Sequence, residues 1–304
     1  MVAMIMCHQC VLTLVKEIKG RVPTANWMIV AGLDIGGSVT KGVLLNESKI
    51  WALSEVQASD SIASGLGCLG KLLSEAKIKM RDISEVALTG SIGRGFRFDM
   101  TELEYSIINE IDAVGIGGLY LSGKKEAIVA SIGTGTAIVY ARAEGTKYHV
   151  EHLGGTGVGG GTMVGLGKLL LNKDQTSTIF KKAKLGEISR TNLLVQDIIG
   201  GPIGIIPANA TASNFGKVGD DTRSEDIALG LIVLIAETIA TITYFAAKQK
   251  NLEKEIVYVG RLPAQELFSQ KLTETLGILG GKATIPVNAL YATAIGAAKA
   301  IRRK

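Results

Sequence analysis

Two short glycine-rich segments carry the residues that could contact a phosphate group. Asp34–Ser38 (DIGGS) follows the apolar run Met28–Leu33, and Gly133–Thr136 (GTGT) follows the apolar run Ala127–Ile132. Each segment offers backbone N–H groups and small hydroxyls, which are donors suited to phosphate oxygens. Ordinary β-turns also favour glycine. Two such segments in matching contexts, one with an aspartate at the strand end, favour phosphate binding.

A third glycine-rich stretch runs from His152 to Leu170 (HLGGTGVGGGTMVGLGKLL) and then continues as a helical pattern. Because glycine loses much conformational entropy on folding, such a cluster indicates close backbone approach or strained turns. The stretch contains a G-x-G-x-x-G string, but a dinucleotide site needs an acid at the end of a second strand. Here Met163–Leu171 has helical composition, so a dinucleotide fold is disfavoured. The Walker A pattern is absent from the sequence.

The elements that position these segments form a unit that occurs twice. Each unit is a strand, a glycine-rich hairpin, a second strand, a turn and a third strand. The second and third strands are predicted at Val39–Leu45 and Lys49–Val56, and again at Ala137–Ala143 and Lys147–Leu153. The elements predicted after the two units are helices at Ser61–Lys77, from Gly161, from Asp226 and at Ala289–Arg302, with strands at Ile83–Leu88, Glu104–Asn109 and Glu255–Val259.

Composition narrows the class of protein. The 304 residues are 47% hydrophobic, which suits two globular lobes. The net charge is +5, and the densest basic groups, Lys77–Arg81 and Lys181–Lys184, lack interleaved aromatic residues. We therefore expect solvated faces and no nucleic-acid partner. Three cysteines fit a reducing, cytoplasmic setting. The lone pair Cys7 and Cys10 is a weak metal or redox signal.

Two segments could suggest a membrane protein. Met1–Trp27 lacks the features of a signal peptide, so we expect an N-terminal extension that is either the product of an upstream start or a loosely attached helix. The apolar stretch Ala228–Ala247 is long enough to span a bilayer but carries Glu237 in its middle. We predict a helix buried in the protein or at a dimer interface, and no membrane partner.

The motifs in their order resemble the superfamily of actin, sugar kinases and heat-shock chaperone ATPases, and within it the type II pantothenate kinases. The similarity extends from Met28 to the C-terminus. It rests on the motifs DIGGSVTK at Asp34–Lys41, LTG at Leu88–Gly90, EIDA at Glu110–Ala113, IGTGT at Ile132–Thr136, the glycine-rich stretch from His152, TASNFG at Thr211–Gly216, IVYVG at Ile256–Gly260 and ATAIGA at Ala292–Ala297.

This resemblance implies an α/β, two-lobed, actin-like (ribonuclease H-like) ATPase fold with duplicated βββ-hairpin units. The first lobe would cover residues 28–120 and the second 121–304. The implied activity is ATP- and Mg²⁺-dependent phosphorylation of pantothenate to 4′-phosphopantothenate, the first step of coenzyme A synthesis. A cytoplasmic homodimer joined through the helix at 226–249 is also implied.

The resemblance also implies which residues bind ATP. Asp34 would organise Mg²⁺ through water, Lys41 would lie near the phosphates, and Thr162 would open a helix whose N-terminal amides favour anions. Bare backbone at Gly159–Gly161 and Gly260 would let the nucleotide approach. The full predicted set is Asp34, Ile35, Gly36, Gly37, Ser38, Val39, Thr40, Lys41, Thr134, Gly159, Gly160, Gly161, Thr162, Gly260 and Arg261, while Ser38, Thr134 and Thr136 could add hydroxyl donors.

The same resemblance makes Glu110 the general base that accepts the proton of the pantothenate hydroxyl, whereas we expect Asp112 to be structural. One departure concerns the acceptor. The family has an arginine just before the glycine-rich stretch, and this chain has His152 there. A histidine is shorter and not permanently charged, so Arg94 is a candidate to supplement it.

Three alternatives stay open from the sequence. The first is a kinase of the same superfamily with another acceptor, such as an amino sugar. The second is an ATP-driven activator of acyl-CoA dehydratases, whose iron–sulfur cluster is held by cysteines at a dimer interface; Cys68 is the one cysteine in the matching region. The third is a non-catalytic ATP-binding regulator.

Overall fold

The computed structural model describes residues 28–46, 49–90 and 103–301. The predicted extension 1–27, the Cys7–Cys10 motif and Arg94 lie outside the described residues. Within the described part, two five-stranded mixed sheets carry the glycine-rich hairpins.

The first sheet is built on the apolar run of the first unit. All seven residues of the central strand β1 are buried, as expected for a strand covered on both faces. Its strands lie in the order β3-β2-β1-β4-β5, with β4 and β5 parallel to β1. They are β1 (Ile29–Ile35), β2 (Val39–Asn46), β3 (Lys49–Gln57), β4 (Glu85–Gly90) and β5 (Tyr105–Ile107).

The second sheet repeats this arrangement. Its order is β12-β11-β6-β7-β8, so β6 is central and forms an antiparallel hairpin with β7 as β1 does with β2. The predicted duplicated unit is therefore confirmed. The strands are β6 (Glu126–Ile132), β7 (Thr136–Glu144), β8 (Lys147–Thr156), β11 (Ile256–Gly260) and β12 (Ala283–Thr284); a separate small sheet pairs β9 (Leu193–Leu194) with β10 (Thr211–Ser213).

Eight helices complete the described part of the chain, with short 3₁₀ turns at Met80–Asp82, Ile188–Arg190 and Ala289–Tyr291. The helices are α1 (Ser61–Ala76), α2 (Glu110–Ser122), α3 (Gly160–Leu171), α4 (Thr176–Ala183), α5 (Val195–Ile199), α6 (Ser224–Gln249), α7 (Glu266–Ile278) and α8 (Ala292–Ile301). The strand predicted at Glu104–Asn109 is shorter than expected, because the Asn109 side chain caps α2 by accepting from the Ile111 amide at 2.8 Å.

Helices α2 and α8 cross between the two sheets. A side chain at Gly117 would meet the Ala292 carbonyl, and one at Gly296 would meet the Ala113 carbonyl, so both crossing positions require glycine. Helix α8, from the end of the chain, packs on β1, β2 and β4, while α2 packs on β6, β7 and β8. The predicted division into lobes 28–120 and 121–304 stays a prediction. Helix α2 spans this boundary, and α8 packs on the first sheet although it belongs to the second range.

Helix α6 is the apolar segment that could suggest a membrane span. By length and composition it is the one helix in the described residues able to cross a bilayer, yet 61% of its most apolar window is buried inside the protein. It packs against α3, α4, α7 and β6. A mostly buried core helix can have the same length and apolar composition as a membrane span.

Candidate active site

A cleft of about 890 Å³ lies where the two hairpins face each other. Both hairpins, the start of α2, strand β8 and the start of α3 line it. The predicted site residues that line it are Asp34, Gly36, Gly37, Ser38, Val39, Lys41, Glu110, Thr134, His152, Gly160, Gly161 and Arg261. The fold therefore brings together predicted site residues that are spread along the sequence from Asp34 to Arg261.

Five predicted residues do not line the cleft. Ile35 is 2% exposed and packs in the core of the first sheet, and Thr40 is fully buried. Gly159 and Gly260 are buried where an added side chain would meet neighbouring backbone, and the half-buried Thr162 donates to the Gly157 carbonyl. Their assignment to the ATP site stays a prediction.

Asp34 and Lys41 form an ion pair at the first hairpin. They are register partners on β1 and β2, and Lys41 Nζ lies 3.2 Å from Asp34 Oδ2. The Asp34 side chain is only 8% exposed, so the ammonium compensates a largely buried carboxylate. Lys41, expected near the phosphates, is paired with Asp34 here, and a nucleotide phosphate would compete with Asp34 for it.

Glu110 is the first residue of α2 and remains open to the cleft. Burial by the surrounding protein raises the pKa of its carboxyl, the negative charge of Asp34 raises it further, and Lys41 lowers it. The charges of Asp34 and Lys41 therefore both influence the ionisation of Glu110. A carboxylate with a raised pKa is a better proton acceptor near neutral pH.

Asp112 differs from Glu110 although only two residues separate them. It lines a different surface hollow of about 440 Å³ and does not line the cleft. This separation follows from the helical geometry of α2, in which residues i and i+2 point in different directions.

The glycine-rich stretch before α3 packs closely against the backbone of the second hairpin. The amides of Gly160 and Gly161, expected to face the nucleotide, donate to the carbonyls of Gly133 and Thr134 at 2.8 Å each. A methyl group at Gly159 would lie 2.7 Å from the Thr134 carbonyl oxygen. The glycines thus let the second hairpin rest directly on the helix terminus.

Two threonine hydroxyls near this junction are also occupied. Thr162 Oγ1 accepts from the Gly159 amide at 3.2 Å and donates to the Gly157 carbonyl at 3.0 Å. Thr136, expected as a phosphate donor, instead donates to the Val158 carbonyl at 2.8 Å. These bonds fix the shape of the hairpin and the loop before α3.

Gly260 and Arg261 follow β11. Gly260 has φ +108°, and a side chain there would collide with the Ile132 carbonyl, so glycine is required by the fold. Arg261 reaches the first sheet, where its Nη2 lies 2.7 Å from Glu55 Oε2. This ion pair joins the two sides of the cleft.

His152 lines the cleft from β8, where a bulge pairs it with Val139. In the part of the chain that the structure describes, it makes no ion pair, in contrast to the cleft residues Lys41 and Arg261. It is therefore the described basic side chain of the cleft that is free to meet an anionic group.

The sequence did not identify several cleft residues. Gly133, Gly135 and residues 154–157 belong to stretches already noted as glycine-rich, so that signal could have included them. Thr293 from α8 lies within the ATAIGA motif, so that signal could have included it, whereas Thr176 from α4 lies in none of the motifs and only the tertiary fold brings it to the cleft.

Comparisons with known proteins agree with this architecture. The chain resembles the solved structures of the Acidaminococcus fermentans (R)-2-hydroxyglutaryl-CoA dehydratase component A (TM-score 0.63, 17% identity, 90% of this chain and 97% of that chain) and of a ROK family glucokinase from Streptomyces griseus in complex with glucose and AMPPNP (TM-score 0.58, 14% identity, 91% and 100%). At these identities the likeness concerns the fold alone. The predicted two-lobed actin-like fold is confirmed.

Sequence relatives are more specific. The Fumble family model matches residues 126–276. A type II pantothenate kinase of Bacillus cereus (strain G9842) is 32% identical over 241 residues, which is 75% of this chain and 82% of that relative. One from Bacillus anthracis is 29% identical over 253 residues, with coverages of 79% and 86%. On these matches, the chain belongs to the type II pantothenate kinase family.

Proposed function

We propose that this protein transfers the γ-phosphoryl group of ATP to the primary hydroxyl of pantothenate, giving 4′-phosphopantothenate at the start of coenzyme A synthesis. The observation that carries the proposal is the cleft between the two hairpins. It joins Glu110, Asp34 and Lys41 in a protein whose relatives are named type II pantothenate kinases.

The transfer requires a proton acceptor and charge neutralisation. As the acceptor oxygen bonds to the γ-phosphorus, the bond from that phosphorus to the β–γ bridging oxygen breaks and ADP leaves. Glu110 accepts the hydroxyl proton, since its raised pKa suits it to that role. Lys41 interacts with the phosphates and with Asp34.

The residues of the cleft fit a magnesium ion held mainly by water and phosphate. Asp34 supplies a carboxylate at the cleft wall, and the described residues contain no group of three or more His, Cys, Asp or Glu that could enclose a metal. Mg²⁺ in nucleotide sites typically keeps several waters and uses one or two carboxylates. When bound, the ion would neutralise charge on the β- and γ-phosphates.

His152 is our candidate for binding the pantothenate carboxylate, because it is the unpaired basic group described in the cleft. Arg94 remains a second candidate from the sequence. Both assignments concern the acceptor only, and ATP binding does not depend on them.

Homodimerisation through α6 and a cytoplasmic location without membrane attachment also belong to this proposal. Positions 234, 238, 241 and 245 are spaced to lie on one face of α6, and Phe245 on that face is 57% exposed. This face would be the contact between two copies.

The dehydratase-activator alternative requires a cysteine able to reach a cluster at a subunit interface. Cys68 lies in α1 with no exposed surface and packs in the core of the first sheet. Burial raises the pKa of its thiol to about 11, which disfavours the thiolate that binds metal. The geometry of Cys68 therefore favours the kinase. A purified protein with iron–sulfur absorbance would contradict this assignment.

The main experiment measures ADP release from Mg·ATP with pantothenate and with a panel of sugars and amino sugars. We expect turnover with pantothenate and its loss in Glu110→Ala, whereas Asp112→Asn, two residues away and outside the cleft, should retain it. Turnover with a sugar or amino sugar, and none with pantothenate, would assign another acceptor. Tight ATP binding without turnover on any acceptor would indicate a non-catalytic regulator.

A further inference from the structure

The LTG motif at the end of β4 has no part in the mechanism above, although its glycine lies against Asp34. Gly90 ends β4 and pairs with Ile35 of β1, while Thr89 pairs with Asp34. Its φ of +93° is a conformation that other residues rarely adopt. Gly90 thus occupies the strand end next to the cleft carboxylate.

The space where a Gly90 side chain would lie is already occupied. A methyl group there would lie 2.7 Å from Asp34 Oδ1 and 2.7 Å from the Ile35 carbonyl oxygen. Real Cβ atoms essentially never come within 3.0 Å of a heavy atom outside their own residue and its chain neighbours. Since the Ile35 carbonyl belongs to the sheet, the Asp34 carboxylate is the group that can move.

The Asp34 carboxylate is limited on its other side as well. Its Oδ2 lies 3.2 Å from Lys41 Nζ on β2. In the sheet order β2-β1-β4, Gly90 and Lys41 therefore flank Asp34 from opposite neighbouring strands. A side chain at Gly90 would displace the carboxylate away from β4, and so away from the side of the sheet on which β5 leads into Glu110.

We propose that Gly90 is a positioning residue for Asp34: the absence of a side chain at Gly90 holds the Asp34 carboxylate where it can meet the hydrated cation of a metal–nucleoside phosphate. The inference rests on the proposed function for the role of Asp34. It adds a residue that acts through another and touches neither nucleotide nor acceptor.

A glycine with positive φ can also be required by the backbone alone, and the chain provides a matched control. Gly123, which follows α2, has φ +69°, and a methyl group added there would meet no atom within 4 Å. Gly90→Ala and Gly123→Ala therefore share the positive-φ strain, whereas only Gly90→Ala also meets the Ile35 carbonyl and the Asp34 carboxylate. Thermal unfolding of both variants separates the loss of stability from the effect on the site.

The test measures the affinity of Mn²⁺ for the ADP complex by electron paramagnetic resonance, in a double-mutant cycle of Gly90→Ala with Asp34→Asn. We expect Gly90→Ala to weaken Mn²⁺ binding at least tenfold, Gly123→Ala to leave it unchanged, and Gly90→Ala to add no further loss in the Asp34→Asn background. Wild-type affinity in Gly90→Ala or in Asp34→Asn, or losses that add in the double variant, would overturn the proposal.

A second measurement covers the case in which Gly90→Ala is too unstable for the metal titration. In the Asp34→Ala background the methyl group no longer meets a carboxylate, so the same substitution should lower the unfolding temperature less than it does beside Asp34. An equal loss in both backgrounds would contradict the inference. The metal cycle needs no acceptor, so a wild-type protein that fails to phosphorylate pantothenate would refute the proposed function, while the role of Gly90 would still be decided by the cycle.

Discussion

At the scale of single residues, the main feature is a carboxylate whose ionisation is made unfavourable by its surroundings. Burial and the neighbouring Asp34 both raise the pKa of Glu110, and Lys41 only partly opposes them. Because folding raises this pKa, the stabilising contribution of Glu110 is present below its ordinary pKa. It is lost as the pH rises through the raised value.

We predict that Glu110→Gln lowers kcat by about 10²–10⁴-fold, because the proton acceptor is lost. At pH 7–8 its unfolding temperature should equal or slightly exceed that of the wild type, since an unfavourable charge is removed. In the wild type, kcat should fall as the pH drops through the raised pKa of Glu110. Rate–pH profiles and thermal unfolding at several pH values check both. A variant that is less stable at pH 8 would contradict this electrostatic assignment.

Replacing His152 tests the acceptor site. We predict that His152→Arg lowers the KM for pantothenate by about tenfold with little change in kcat, because a guanidinium is always charged and binds a carboxylate through two hydrogen bonds. His149→Arg on the same strand, outside the cleft, is the matched control. An unchanged KM in His152→Arg would remove His152 from the acceptor site.

At the scale of elements, the second hairpin and helix α3 form one unit. The two amides at the start of α3 bind hairpin carbonyls, and the glycines before and at the start of the helix allow this contact. The helix therefore supports the hairpin that lines the cleft. Its role is different from that of a helix terminus whose amides all face a ligand.

We predict that Gly159→Ala raises the KM for ATP about tenfold, because the new methyl group collides with the Thr134 carbonyl and moves the hairpin. Gly165→Ala is the control within α3, where nothing lies within 4 Å of the added methyl. That variant should keep its activity and gain about 0.5–1 kcal/mol in the free energy of unfolding. Steady-state kinetics and denaturant unfolding measure both. Equal ATP kinetics in the two variants would rule out the support role.

At the scale of the whole molecule, a single ion pair joins the two sides of the cleft in the part of the chain that the structure describes. Glu55 lies on β3 of the first sheet and Arg261 follows β11 of the second, at 2.7 Å. Both side chains are partly exposed, so their contribution to the free energy of unfolding is small. We expect the ion pair instead to hold the two sheets in their relative position.

We predict that Glu55→Gln raises the KM for ATP about two- to fivefold and changes the free energy of unfolding by less than about 1 kcal/mol. The difference from the wild type should shrink at high ionic strength, because salt screens exposed charges. Glu75→Gln, an exposed carboxylate on α1, is the control. A KM difference that persists unchanged at 0.5 M salt (about 4 Å screening length) would contradict a role for this pair.

The α6 face supplies a prediction about assembly. Phe245→Glu should convert the expected dimer to a monomer, because a charge would replace an exposed apolar side chain at the contact. Light scattering coupled to gel filtration measures the mass. Gln249→Glu, at the end of α6, is the control for added charge. A monomeric mass for the wild-type protein would contradict dimerisation through α6.

Local sequence signals were enough to predict the duplicated units, the glycine-rich segments and most element types. These features depend on local signals: apolar runs form central strands, glycine and polar residues form turns, and helical patterns follow a 3.6-residue period. Asp34 at a strand end and Glu110 beside a small-residue run were identified through their motifs. The two hairpins were expected to act together because their contexts match.

The contacts of each residue, in contrast, became visible only in the folded chain. The crossing of α2 and α8, the pairing of Lys41 with Asp34 and the Glu55–Arg261 pair join segments that are distant in the sequence or on different strands. The same is true of the glycines, since a sequence shows that a side chain is missing but not which atoms fill its place. At Gly159, Gly260 and Gly90 that place is filled by the protein itself.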